Sequence, residues 1–238
     1  MTKKAEVAEL DGGSKKAWQE AYETILDEIL NLKMKPGEAV TELALSDRLG
    51  IGRTPVREAL KRLEQEGLIV THNQRKRVYI LSIREIEEIF DIKTALEGSV
   101  AEWAALRGND EQFTELRILQ EEMKLFLTTR SDKPQDEEAD LARWLEIDRR
   151  LHAHLFSMAG NRRAEAITKN LNMQWHRLKV GILVMEGRID KAVVEHQKFV
   201  QAILDKDPTA AENLMREHLD NLKRELVKLL RVYHYPLA

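Results

Sequence analysis

Three histidines and one aspartate stand where a helical protein normally buries hydrocarbon. Asp148 and His152 are four residues apart in DRRLHAHLF, so they share one helical face. That face otherwise carries Leu141, Leu145, Leu155 and Ala159. His196 interrupts the stripe Ile189, Val193, Val200 and Ile203, and His218 interrupts Ala211, Met215, Leu222, Leu226 and Leu229. Polar groups carried into an apolar interior must be paired or coordinated. Two arrangements meet that demand: hydrogen-bonded core histidines, or a divalent cation held by one carboxylate and three imidazoles. Spacing alone leaves both open. The chain has no cysteine, which excludes thiolate metal sites, disulfides and cysteine nucleophiles.

A second polar pair lies upstream. Lys93 falls on the stripe Ile86, Ile89, Val100 and Ala104, with Glu97 one turn later. This is either an i, i+4 ion pair at the edge of the core or a cationic partner for an anionic effector.

A third constellation occupies Leu49 to Val70, LGIGRTPVREALKRLEQEGLIV. Gly50-Ile51-Gly52 breaks a preceding helix, Pro55 suits the first helical turn, and Gly67 ends the next helix. Val56, Ala59, Leu60 and Leu63 share one face. Thr54, Arg57, Glu58, Lys61 and Gln65 fall opposite, flanked by Arg53 and Arg62. Such a face is either an ordinary solvated surface or a reader of the DNA major groove, with Arg donating bidentately to guanine and Thr and Lys holding phosphate. Between Arg48 and Arg77 there are eight basic and three acidic side chains, in a chain whose net charge is −3. A basic island on an acidic chain marks a nucleic-acid module.

The elements around these residues follow from pattern. Residues 1–14, with Gly12-Gly13, are expected to be disordered. A helix follows, with Trp18, Tyr22, Ile25, Leu26 and Ile29 inward, and Met34-Lys35-Pro36-Gly37 turns the chain. TELALSDRLG is a short helix. LIVT, the tip HNQRK and RVYIL form a hairpin, so residues 15–81 read as a winged helix-turn-helix with a β-hairpin wing. Ser82 and Glu85 form a capping box directly after it. Residues 82–238 read as six helices joined by short loops, an antiparallel α-helical bundle. The first ends at Gly108-Asn109, the second at Thr128, and the third covers 138–159. The fourth ends near Glu186-Gly187, the fifth spans 190–206, and the sixth opens at Asp207-Pro208 and stops before Pro236. The fold class is mainly α. At 43% hydrophobic residues the chain can build a real core. No apolar run approaches the roughly 20 residues that span a bilayer. MTKKAEVAELDGGSKK has no signal-peptide apolar core, so the expected location is the cytoplasm.

PGEAVTELALSDRLGIGRTPVREALKRLEQEGLIV resembles the DNA-binding domain of the GntR transcriptional regulators. The resemblance implies that Arg53, Thr54 and Arg57 contact operator DNA, with Arg48 and the wing residues Arg75 and Arg77 on or near it. Gly52 stands where that family usually has Ser or Thr, and the wing tip lacks its usual glycine, with Arg75 near that place. DRRLHAHLFSMAGN, EHQKFVQAIL and REHL resemble the ligand-binding FCD domain of the FadR-type branch, in its shorter, six-helix, VanR-like version. In metal-binding members of that branch one Asp and three His hold a divalent cation. They map onto Asp148, His152, His196 and His218, for which Zn, Ni or Mn all suit the mixed N/O donors. The branch usually has Arg at Lys93, facing the ligand pocket. Lys offers a point charge where Arg offers a fork.

Together these features predict a metabolite-responsive transcription factor. It binds palindromic double-stranded DNA as a homodimer, and a small organic or sugar acid near Lys93 and Glu97 acts as effector. No membrane is involved. The rivals are a helical metal-dependent hydrolase, which lacks a general base beside the four donors, and a sensor of the metal ion itself.

Overall fold

The computed structural model describes residues 2–131, 136–183 and 188–232. By its internal packing the chain divides into two units, Met1–Leu81 and Ser82–Ala238.

The first unit runs α1 (Thr2–Leu30), β1 (Ala39–Val40), α2 (Glu42–Leu49), α3 (Arg53–Gln65), β2 (Ile69–His72) and β3 (Arg75–Val78). Thr41 caps α2 by accepting from Ala44 N at 3.2 Å, and Gly50 ends it at φ 66°, a conformation that costs glycine nothing. The apolar face of α3, Val56, Ala59, Leu60 and Leu63, is fully buried against Ala21, Ile25 and Ile29 of α1 and Leu68, Ile69 and Val78 beyond it. Each large aliphatic buried there contributes about 1.5–3 kcal/mol. The sheet has three strands in the order β1-β3-β2, all antiparallel, so the expected hairpin carries a further short strand. Asn73 and Gln74 make a two-residue hairpin loop with φ 48° and 62°. Positive φ at both central residues is what the twist of a tight hairpin demands, so this wing turns without glycine.

Residues 2–14, where a disordered tail was expected, are part of α1 as described, Thr2–Leu30. Lys3, Lys4, Ala5, Glu6, Ala8, Glu9 and Leu10 are good helix formers, and each glycine of the pair costs only about 1 kcal/mol relative to Ala.

The second unit comprises α4 (Ile83–Arg107), α5 (Asp110–Thr129), α6 (Glu137–Ala159), α7 (Arg162–Leu183), α8 (Arg188–Leu204) and α9 (Pro208–Val232). These are all its described elements, and together they form a helical bundle. Ser82 accepts from Glu85 N while the Glu85 carboxylate takes Ser82 N, a complete capping box. Asn109 and Gln112 repeat the device on α5, and Asp207 caps α9 through Ala210 N at 2.9 Å. The expected fourth-helix end at Glu186-Gly187 and the stop before Pro236 lie outside the described residues. α4 packs along α9 and against α6, while α8 packs on α9 and α5. On α6 the buried stripe is Trp144, Ile147, Leu151 and Leu155, and Leu141 and Leu145 are only half-buried. Trp144 is wholly buried against Phe126 and His196. Among the described residues no helix is long and apolar enough to cross a membrane.

Candidate metal centre and nucleic-acid interface

The second helix of the helix-turn-helix presents its polar side to solvent. Arg53, Thr54, Arg57 and Lys61 are all exposed, as are Arg48 on α2 and Arg75 and Arg77 on the wing. They differ in how they are held. Arg57 donates to both oxygens of Glu42 from Nε, at 3.0 and 2.9 Å, with Nη2 2.8 Å from Oε2. Arg48 is paired with Glu28 of α1. Arg77 donates from Nη1 to the Gly37 carbonyl at 2.8 Å. The side chains of Arg53, Lys61 and Arg75 make no hydrogen bond or ion pair among the described residues.

In the bundle, α6 and α8 bring Asp148, His152 and His196 together. One donor atom from each lies within 4.8 Å of the others. His218 of α9 stands beside this trio, its ring 4.5 Å from that of His196. Asp148, His196 and His218 are buried, and His152 is partly open.

All three imidazoles are anchored from behind through Nδ1. His196 Nδ1 donates to the Ala192 carbonyl at 2.6 Å. His218 Nδ1 donates to Glu195 Oε2 at 2.8 Å. His152 Nδ1 lies 3.4 Å from Glu97 Oε2. A carbonyl or a carboxylate can only accept, so in each neutral ring the proton sits on Nδ1 and Nε2 keeps its lone pair. His196 Nε2 then faces Asp148 Oδ1 at 3.2 Å, with His152 Nε2 3.7 Å from the same oxygen. Acceptors facing acceptors need a positive charge between them. A proton on His196 would serve, but burial pushes the His196 imidazolium pKa down, against the opposing pull of Asp148. A divalent cation serves without that cost. Two donors at right angles, each about 2.1 Å from a metal, stand about 3 Å apart. The donor set therefore fits a cation, with the outer hydrogen bonds that metal-binding histidines use to fix ring orientation.

Glu97 is shared. It accepts from Lys93, and Lys93 Nζ also donates to Asn172 Oδ1 at 2.5 Å, which in turn accepts from Trp175 Nε1. Lys93 and Glu97 are each 2% exposed. Burial works to raise the Glu97 carboxyl, but Lys93 and His152 outweigh it and hold it well below the usual range. Burial likewise opposes ionisation of Glu195, yet His218, Arg188 and Asn221 bring its carboxyl down to about 2. Arg188 is itself buried, with Nε 3.0 Å from Glu225 Oε2 but not aligned for a hydrogen bond.

Residues 17–80 match the bacterial regulatory proteins of the gntR family, and residues 88–221, more than half the chain, match the FCD domain. The chain belongs to the GntR regulators with an FCD domain. Among relatives of this GntR chain, the HTH-type transcriptional repressor GlaR of Escherichia coli is 27% identical over 209 residues, covering 84% of this chain and 91% of GlaR. The repressor RspR of the same organism is 26% identical over 214 residues, 90% of each chain. In fold it resembles E. coli McbR/YncC, with TM-score 0.68 at 18% identity, over 90% of this chain and 98% of that one. The GntR–FCD membership makes this chain a DNA-binding transcriptional regulator and sets aside the hydrolase reading.

Glu195, Ala192 and Asn172 carry much of the site, yet sequence reading passed over them. Glu195 adjoins His196 and lies seven residues from Arg188 on one face of α8, a spacing that could have exposed the pair. The Ala192 carbonyl and Asn172 left no such signal. Glu195→Leu should loosen divalent-ion affinity about 10- to 100-fold, the usual cost of losing an outer partner, with Glu195→Gln retaining most of it. Competition against a chromophoric chelator measures this, and equal affinities would show that Glu195 does not support the centre.

Proposed function

We propose that this GntR–FCD chain is a cytoplasmic, homodimeric, metabolite-responsive regulator. Residues 15–81 read palindromic operator DNA through Arg48, Arg53, Thr54, Arg57, Lys61, Arg75 and Arg77. Residues 82–238 take a small organic-acid or sugar-acid effector beside a divalent cation, Zn, Ni or Mn, held by Asp148, His152, His196 and His218.

The observation that carries the metal reading is the approach of His196 Nε2 to Asp148 Oδ1 at 3.2 Å with the His196 proton committed to Ala192. When bound, the cation supplies Lewis-acidic positions for effector oxygens. Lys93 has three N–H groups and already donates to Glu97 and Asn172. An effector carboxylate takes the remaining N–H or displaces Glu97. Because Glu97 also faces His152 Nδ1, its displacement reaches the centre directly. β3 ends at Val78 and α4 begins at Ile83, so only four residues separate the last strand of the first unit from the first helix of the second. Effector and DNA then bias one another's binding reciprocally. The homodimer follows from the short reading helix: one copy reaches too few bases for useful specificity, and two-fold pairing doubles the site.

Arg57→Ala should weaken binding to a preferred duplex by about 1–3 kcal/mol while leaving the melting curve unchanged, because Arg57 packs nothing in the core. Fluorescence anisotropy on a duplex selected from a random library measures this. The same assay tests the site: stripping the metal should abolish the effector response before it abolishes DNA binding. Simultaneous loss of both would make the cation purely structural, and DNA binding governed by metal alone would make it the signal.

A further inference from the structure

We propose that Glu42 is a specificity-setting residue: it holds Arg57 so that the guanidinium presents its end-on fork to a guanine. This rests on the reading of α3 as the base-contacting helix.

A guanidinium has two edges that can donate two parallel hydrogen bonds. The lateral edge carries Nε–H and one Nη2–H, and the end carries one N–H from each terminal nitrogen. Glu42 takes the lateral edge of Arg57, with Nε 3.0 and 2.9 Å from its two oxygens and Nη2 2.8 Å from Oε2. The end-on fork stays open, and it is the fork that matches guanine O6 and N7. The contact also crosses the motif. Glu42 opens α2 and Arg57 is the fifth residue of α3, so the fork is fixed relative to both helices. Arg57's hydrogen bonds keep the Glu42 carboxyl below its usual range, which leaves it ionised at neutral pH.

Three of the neighbouring cations lack such a brace. The side chains of Arg53, Lys61 and Arg75 are exposed with no hydrogen bond or ion pair among the described residues, as suits adaptable phosphate contacts. A carboxylate on a DNA-facing surface repels phosphate, so Glu42 lowers affinity for every duplex. What it supplies in return is preorganisation: the side-chain freedom of Arg57 is restricted before DNA arrives. Glu42 escapes sequence reading because an acidic residue in a first helical turn is already accounted for by the helix dipole.

The two effects have opposite signs, and this makes the proposal testable. The full-length chain first selects a preferred duplex from a randomised library. Wild type, Glu42→Ala, Glu42→Gln, Arg57→Ala and the Glu42→Ala/Arg57→Ala double variant are then titrated against that duplex, against each of its single base-pair replacements, and against random-sequence duplex. Glu42→Ala should bind random duplex as tightly as wild type or tighter. It should lose about 10-fold discrimination at one G·C step, the step that Arg57→Ala also loses. Glu42→Gln, which keeps one acceptor, should fall between, and the double variant should be no less selective at that step than Arg57→Ala alone. If Glu42→Ala raises affinity equally for selected and random duplex, Glu42 only masks Arg57 and the proposal is wrong. Retained discrimination at the Arg57 step also overturns it. If Arg57→Ala itself keeps full discrimination everywhere, the base-contact reading of Arg57 fails, and this proposal fails with it.

Discussion

Chelation should lower the melting temperature of the protein by roughly 10 °C and leave His196→Ala unmoved. A ligand bound only to the folded state, present at about 1,000 times its dissociation constant, stabilises by about 4 kcal/mol. In a domain of this size that amounts to some 2–4 °C per kcal/mol. Without the cation, the lone pairs of His196 and His152 face the Asp148 carboxylate in an apolar interior. His196→Ala removes the most buried of these donors, so chelator has nothing left to take. Acid adds a second handle. Burial, with His196 beside it, pulls His218 from 6.5 down to about 4. Between those values the unfolded chain binds a proton that the folded chain refuses. Stability is therefore full above pH 6.5 and is lost as pH falls toward 4. Glu195, held at about 2, extends the loss below pH 4.5, since its unfolded carboxyl protonates first. Differential scanning fluorimetry across pH, with and without chelator, measures both. A melting temperature indifferent to chelator and flat from pH 7 to 5 would return these histidines to the ordinary core.

Lys93→Met should destabilise the metal-free protein by about 3–5 kcal/mol, because it leaves the buried Glu97 with His152 in place of its cationic partner. Lys93→Met/Glu97→Leu should recover most of that loss, since replacing a buried pair by packed apolar groups is often neutral. The pair thus separates two roles. Stability depends on whether the partners are matched, whereas effector response depends on Lys93 itself, so the double variant should fold well and respond poorly. Urea titration of the two variants gives the first readout and effector-dependent anisotropy the second. A single Lys93→Met variant as stable as wild type would mean that Glu97 is neutralised by another group.

How much of this was readable beforehand depended on range along the chain. The α3 face of Val56, Ala59, Leu60 and Leu63, the Ser82–Glu85 box and the Asp148–His152 spacing are all local, and periodicity exposes local relations. β1 was missed because two residues, Ala39 and Val40, carry no pattern and gain strand identity only by pairing with Arg77 and Lys76. The wing turn was obscured because positive φ at Asn73 and Gln74 is imposed by the strands and not by glycine. Asp148, His152, His196 and His218 could be named because polar residues interrupt apolar stripes. The contacts that orient them could not. Glu195 reaches His218 across 23 positions, Glu97 reaches His152 across 55, and Ala192 acts through its backbone carbonyl alone. On α6, Leu141 and Leu145 drew the expected stripe to one edge of the buried one: at about 100° per residue Trp144, the largest side chain there, sits about 60° and about 100° round the helix from them.

Native mass spectrometry of the full chain as purified tests the central claim most directly, since it reads subunit number and bound ions in one spectrum. The account predicts a dimer carrying one divalent ion per chain. It also predicts that His196→Ala remains a dimer and loses the ion. A metal-free species, or an ion retained in full by His196→Ala, would contradict it.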